Sequence, residues 1–354
     1  MKFTAVCLFS LALVGGTLRL AAAPSYIVTV AKSGGDYSTI QAAINAVTGT
    51  VSQPVLVRVA PGIYSETVTM KPYVDVEGAG EGMTSILSHD SWIPTLTTAD
   101  HSELRSLTVE WSGGKEGPAW AIQIPSGSPS VRNVTAIGQH GPYYVVAVNC
   151  KHPSSPVLKN LTLQSSSYGL WNDAETTLVD SSITIYASDL GGGDGIYNAG
   201  GLVVLRNVTV DVNSIRREGL DVAPNLAYGI AGAVSGITRL YGSRVSATAN
   251  GRGSQAYALS EDAADAEVYN SVLSAGGDGA TSYGVQTISG IPEIAHIRVH
   301  DSTVTAGSYT VFGNATSVTQ IAASQLIGPS PVGPVTCAGV SDGTYTFYPA
   351  ACPP

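Results

Sequence analysis

Asp173 and Asp194 stand 21 residues apart, in the phrases LWNDAE and GGGDGIYN. Two carboxylates held in one cleft can share the work of ester or glycoside cleavage. One attacks or takes a proton while the other gives one, provided their surroundings separate their pKa values. Trp171 and Tyr197 lie near them in sequence, with Tyr168 just upstream. Such rings offer faces on which a sugar can stack. Asp194 is framed by glycines, where another chain can approach the backbone closely. The alternative for Asp194 is a Gly-rich surface turn in which its carboxylate caps backbone N–H groups.

Other chemistries find less support. Glu261, Asp262 and Asp265 are close in sequence, but they read as the solvated face of a loop rather than a calcium site. No Cys/His group has zinc spacing. His89, His101, His152, His296 and His300 have no nucleophile beside them. No cofactor and no metal is implied. The formal net charge is −9 and no basic run is present, so nucleic acid and anionic membranes are poor partners.

Positioning these residues requires a repeating scaffold, and the chain repeats itself. A hydrophobic residue followed by Thr or Ser recurs at Leu107, Val134, Leu161, Ile183, Val208, Val245, Leu273 and Val304, about every 28 residues. Between these runs a second ladder beginning at Trp120, Tyr144, Tyr168, Asp194, Tyr228, Tyr257, Tyr283 and Tyr309. Asp194 interrupts an otherwise aromatic series, which offers a sugar-stacking stripe, although a stripe locked to the repeat is more often a structural stack. Short strands with Gly, Asn and Ser turns in one sustained phase predict an all-β, right-handed parallel β-helix. The sequons at Asn133, Asn160 and Asn207 fall on the same phase, so coil geometry accounts for them better than glycosylation.

The open end of such a column needs a cap. STIQAAINAV supplies a helix, with Ser38 as N-cap and Ile40, Ala43, Ile44 and Val47 as its apolar face. At the other end Cys337 and Cys352 bracket a tail and are expected to form a disulfide. Cys150 reads as a buried free thiol. Residues 1–22 have the form of a secretory signal peptide, which predicts export to an extracellular or periplasmic space. The β-helix is then expected over 23–335 and the tail over 336–354. Oligomeric state is not legible.

The stretch from Gly34 to Ile86 resembles the N-terminal part of the pectinesterases, the pectin methylesterases. GGDYSTIQAAINAV matches their capping helix. VLVRVAPGIYSETVTM matches the first coil with its Gly-x-Tyr-x-Glu, here Gly62, Tyr64 and Glu66. VDVEGAGEGMTSI matches the strand and turn that follow. The resemblance implies a nucleophilic Asp paired with an acid/base Asp, Gln donors to the oxyanion, an Arg that holds the nucleophile, and aromatics beneath the sugar. DGIYNA is the echo of the nucleophile motif and assigns that role to Asp194. SYGLW stands where Gln-Asp-Thr-Leu-Tyr is required, so Ser167 and Tyr168 replace Gln and Asp. Arg252, in NGRGSQAY, is a weak echo of the Arg motif. His140-Gly141 and Arg216-Arg217 offer residue types of a polygalacturonase-like hydrolase without its motifs or order.

The expectation is a secreted pectinesterase-like protein that engages a pectin-like extracellular polysaccharide, with esterase activity weak or lost. Two alternatives stand beside it. One is a non-catalytic structural or adhesive rod, the other a divergent polysaccharide hydrolase using Asp194 with Asp173.

Overall fold

The computed structural model describes residues 26–113, 117–139, 144–187, 192–214, 225–233, 235–288, 294–314 and 316–354. The expected signal peptide over 1–22, together with His140, Gly141, Arg216 and Arg217, lies outside the described residues.

Parallel strand pairing between successive coils builds a solenoid. Its strands form one sheet of ten strands and a longer sheet of 23 that wraps the remaining faces. Leu163, Ile183, Val210, Val245, Leu273, Val304 and Leu326 stand in register along the long sheet, all buried. Leu170, Ile196, Ile230, Leu259, Val285 and Val311 do the same in the ten-stranded sheet. Each buried side chain is worth about 1.5–3 kcal/mol relative to exposure. The core is therefore a column in which every coil depends on its neighbours.

The turn phase explains the sequons. Asn133, Asn160 and Asn207 have φ of 52°, 51° and 54°, a left-handed conformation that Asn tolerates better than most residues. Asn160 Nδ2 donates to Asn133 Oδ1 at 3.0 Å, and Asn207 Nδ2 donates to Asp180 Oδ1 at 3.1 Å. These side chains tie one turn to the next.

The helix Ile40–Ala46 packs Ile40, Ala43 and Ile44 on the first coils. Its N-cap is Thr39, one residue later than expected, and Thr39 Oγ1 accepts from the Ala42 N–H. Glu66 completes the cap. Its two carboxylate oxygens accept from the N–H groups of Ile40 and Gln41 at 2.9 and 3.0 Å, satisfying two donors that a helix start leaves open. Tyr64 is fully buried, and its hydroxyl donates to the Ala60 carbonyl. The Gly-x-Tyr-x-Glu phrase is thus a joint between the first coil and the helix.

At the far end Val335–Ala338 pairs in parallel with Val318–Ala322, so coil pairing continues past the expected boundary at 335. Val340–Asp342 then receives Phe347–Tyr348 in antiparallel pairing. Cys337 and Cys352 are joined, with Cα atoms 4.9 Å apart. Cys150 is free and buried, and burial pushes its thiol up to about 12. No helix among the described residues is long and apolar enough to cross a membrane.

Candidate functional site

The ten-stranded sheet carries the candidate site on its outward face. Its strands from Ala119–Ile124 onward repeat one local pattern: outward, two inward, outward, inward. The second position is skipped in the register, which turns the third position inward and brings the fourth back to the surface. Small residues dominate the skipped position: glycine at Gly169, Gly195, Gly229 and Gly284, alanine at Ala121, Ala147 and Ala258, and Thr310 in the last coil. A Cβ on Gly195 would lie 2.2 Å from Val210 Cγ1 and 2.5 Å from the Gly229 carbonyl oxygen. Tyr-Gly-Ile therefore means a ring outside, a glycine pressed on the opposite wall and an aliphatic residue in the core.

Two outward rows result. The first runs Trp120, Val146, Tyr168, Asp194, Tyr228, Tyr257, Tyr283, Tyr309. Val146 occupies the place expected for Tyr144, which lies two residues upstream. The second row runs Gln123, Asn149, Trp171, Tyr197, Ala231, Ser260, Gln286, Phe312. Asp194 is therefore in mid-strand, within Gly192–Asn198, and not in a turn.

Apart from Phe312, which meets Tyr283 and Tyr309 edge-on at 73° and 65° at the far end, the rings fall into two groups with different geometry. Tyr228, Tyr257, Tyr283 and Tyr309 stack 4.7–5.0 Å apart with planes 6–12° from parallel. Their inner faces cover one another, so this part of the ladder is structural. Tyr144, Tyr168, Trp171 and Tyr197 are instead inclined to one another by 37–86°, with centroids 4.9–6.0 Å apart. Tilted rings leave faces free for another flat, apolar surface, such as the C–H face of a sugar.

Asp194 marks the boundary between these groups. Its register neighbours are Tyr168 on one side and Tyr228 on the other, about two strand spacings or roughly 10 Å apart. The carboxyl thus sits in a notch one coil wide, half-buried and flanked by rings. Burial raises its pKa to about 7. Tyr168 is pushed up to about 12, first by burial and then by the Asp194 charge, and Tyr228 is raised by the same two causes. No described cation forms an ion pair with Asp194, and no strand of this sheet contains Lys, Arg or His. A carboxyl titrating near neutrality can give or take a proton there.

The other expected partners are not brought to it. Asp173 is exposed and follows Tyr168, the register partner of Asp194, by five residues. That offset is roughly 16 Å along an extended chain, beyond the ~9.5 Å limit of carboxylate pairs in glycoside hydrolysis. Arg252 is exposed in a turn, five residues before Tyr257 and two coils from Asp194. Trp171 and Tyr197 do meet, as direct register partners with a T-shaped contact at 4.9 Å. Tyr144 and Tyr228 complete the surround. Both were visible in the repeat, but only the ring contacts show that Tyr144 joins the cluster, and only the register shows that Tyr228 walls the notch.

Glu261 corrects another expectation. It lies in the strand Gln255–Asp262 and points inward, fully buried, rather than in a solvated loop. Its carboxyl occupies space left by Gly232, whose ideal Cβ would fall 1.5 Å from Oε2. Neither oxygen has a hydrogen-bond partner. Thr238 lies near enough to favour the charged form without closing a normal hydrogen bond, and burial dominates, raising the pKa well above the carboxylate range. Among the described residues no three His, Cys, Asp or Glu side chains form a group that could hold a metal ion.

No family model and no curated protein matches the chain. Solved structures do. A pectin methylesterase from carrot is 14% identical, with 86% of this chain and 83% of that one covered and a TM-score of 0.46. The chain is similar in structure to pectin methylesterases. PemA from Erwinia chrysanthemi, another of them, is 13% identical over 75% of this chain and 90% of its own, with a TM-score of 0.44. The A-module of a mannuronan C-5 epimerase from Azotobacter vinelandii is 15% identical over 86% and 94%, with a TM-score of 0.47. The β-helix itself rests on the strand register rather than on these scores.

Proposed function

We propose that the protein engages a pectin-like extracellular polysaccharide along the outward face of the ten-stranded sheet, and that esterase activity there is weak or lost. The observation that carries this is the change in ring geometry at Asp194. Parallel, mutually covered rings give way to the inclined cluster of Tyr144, Tyr168, Trp171 and Tyr197 beside a half-buried carboxyl. Inclined aromatic faces suit sugar rings, and a polymer running along the solenoid axis would meet one residue of each outward row per coil.

The DGIYNA phrase supports reading Asp194 as the counterpart of the nucleophile that the pectinesterase resemblance implies. Among the described residues, the surroundings of Asp194 lack the remaining machinery. Tyr168 stands where the acid/base carboxylate is required, Asp173 is too far along the chain to replace it, and Arg252 forms no ion pair with Asp194. With no second carboxylate or fixed cation among the described residues beside Asp194, a tetrahedral intermediate would lack most of its stabilisation there. The same displacement of Asp173 counts against a hydrolase built on both residues.

Methanol release from methyl-esterified pectin tests the chemistry. The expected result is release near background and no further loss in Asp194→Asn. Robust release that Asp194→Asn abolishes would overturn the assignment of weak or lost activity. Absence of binding to pectins and other glycans would favour a non-catalytic rod.

A further inference from the structure

The cations missing from the ten-stranded sheet are found elsewhere. Four consecutive strands of the long sheet, Leu202–Arg206, Ile237–Tyr241, Asp265–Tyr269 and His296–His300, present three outward rows, two of which carry the arginines. One row is Val204, Arg239, Glu267, Arg298, and the other is Arg206, Tyr241, Tyr269, His300. A shallow groove runs here, lined by Ile237, Arg239, Asp265, Glu267, His296 and Arg298.

Glu267 organises the first row. Arg239 Nε donates to its Oε2 at 3.0 Å, and Arg298 Nη1 donates to its Oε1 at 3.3 Å. One carboxylate thus holds guanidinium groups from the coils on either side, about two strand spacings or roughly 10 Å apart at the backbone. Each guanidinium has five N–H donors in a planar fork, and each spends one on Glu267. Both remain partly open, with Arg239 at 37% and Arg298 at 52% side-chain exposure. Asp265 is occupied by His296, with Nδ1 and Oδ1 3.2 Å apart.

The second row adds polar edges. Tyr241 and Tyr269 stack at 5.5 Å and 5°, and Tyr269 and His300 at 5.6 Å and 21°. Arg206 lies 4.6 Å over the far face of Tyr241. These ring faces are taken, so solvent meets the ring edges, which carry the positive end of the quadrupole. Three arginines thus stand against two carboxylates on this strip, in a chain whose net charge is −9.

We propose that this strip is a second carbohydrate-binding surface, selective for an acidic glycan chain whose carboxylates fork onto Arg239 and Arg298. The ligand is a polymer because the surface is shallow and spans four coils, so a single sugar would bury little of itself. Charge complementarity selects the acid. The strip lies on a different sheet from Asp194 and does not depend on the function proposed for that site.

The test is binding of the full chain to polygalacturonate, with cellohexaose as neutral control and galacturonate as monomeric competitor. Arg239→Gln and Arg298→Gln are each expected to weaken polygalacturonate binding about tenfold, as loss of one charge-assisted hydrogen bond does. Glu267→Gln keeps an acceptor oxygen, removes a competing charge and is expected to tighten binding, a gain that misfolding cannot produce. Galacturonate at equal uronate concentration is expected not to compete. The proposal is overturned if neither Arg substitution changes the affinity, if cellohexaose binds as well through the same arginines, or if the monomer competes fully. Binding that Trp171→Ala removes and the Arg substitutions spare also overturns it, while leaving the Asp194 face intact as a site.

Discussion

Replacing Asp194 by Asn should stabilise the protein, and only at the higher end of the pH range. Burial among the rings raises the Asp194 pKa from 3.8 to about 7. Below pH 3.8 the carboxyl is protonated in both folded and unfolded chains, and it carries no penalty. As pH rises the unfolded chain ionises first, while the folded chain still holds its proton. Stability therefore falls between about pH 4 and pH 7 and is level above that. A shift of about three units at 1.36 kcal/mol each sets a ceiling of about 4 kcal/mol. The carboxyl keeps some contact with solvent, so about half of that, ~2 kcal/mol, is the expected gain at pH 8. With an unfolding entropy of about 2.1 cal/mol/K per residue, this corresponds to a rise in Tm of about 3 °C. The assay is thermal unfolding of wild type and Asp194→Asn at intervals from pH 3.5 to 8. The difference should be near zero at the acid end and should open through pH 5–7. A difference that is constant with pH, or a less stable variant at pH 8, would refute the account of a carboxyl strained by burial. A carboxyl kept at such a cost, in mid-strand between aromatic walls, is the pattern that functional sites show.

Three further perturbations test the scaffold. Glu261→Gln should raise Tm by an amount that grows as pH climbs above 4.5, because the unfolded glutamate ionises there while the buried one keeps its proton; a pH-independent effect in the same unfolding series would contradict this. Gly195→Ala should cost at least about 1–3 kcal/mol in denaturant unfolding, because its Cβ meets Val210 and the Gly229 carbonyl at overpacking distances; a neutral result would mean the coil wall yields easily. Asn160→Ala should cost about 1–2 kcal/mol, through left-handed strain and loss of the bond to Asn133, and Asn160→Gly should recover most of it. Equal losses for Ala and Gly would show that backbone strain is not the cause.

The solenoid was legible because its signal is repeated in every coil. One Val-Thr pair says little, but eight recurring pairs point to stacked strands, although the register sets Leu107, Val134 and Leu161 two residues out of phase with Ile183, Val245, Leu273 and Val304; the αL turns suit the Asn residues at Asn133, Asn160 and Asn207. The site was less legible because it depends on register, and coil length varies. Asp173 precedes Asp194 by 21 residues, which resembles one short coil, yet the register partner is Tyr168, 26 residues back. Those five residues separate the two carboxylates. The same uncertainty of phase exchanged Tyr144 for Val146, and it hid the inward direction of Glu261 at the edge of an acidic run. Trp171 and Tyr197 meet because both lie three residues after the ladder position in their coils. The Gly-x-Tyr-x-Glu phrase marks the fold's first joint, where Glu66 caps the helix, and its chemistry ends there.

The most direct test of the central claim is a binding isotherm for an oligogalacturonide series, from fully methyl-esterified to free acid, on wild type and Trp171→Ala. Trp171 is the centre of the inclined cluster, with rings of Tyr144, Tyr168 and Tyr197 within 4.9–5.6 Å. Removing a stacking ring costs about 1–1.5 kcal/mol, so the affinity for the esterified oligosaccharide should fall about tenfold, while loss of the three ring contacts lowers Tm by about 2–6 °C and leaves the protein folded. An unchanged affinity in a folded Trp171→Ala protein would contradict the assignment of this face as the polysaccharide site.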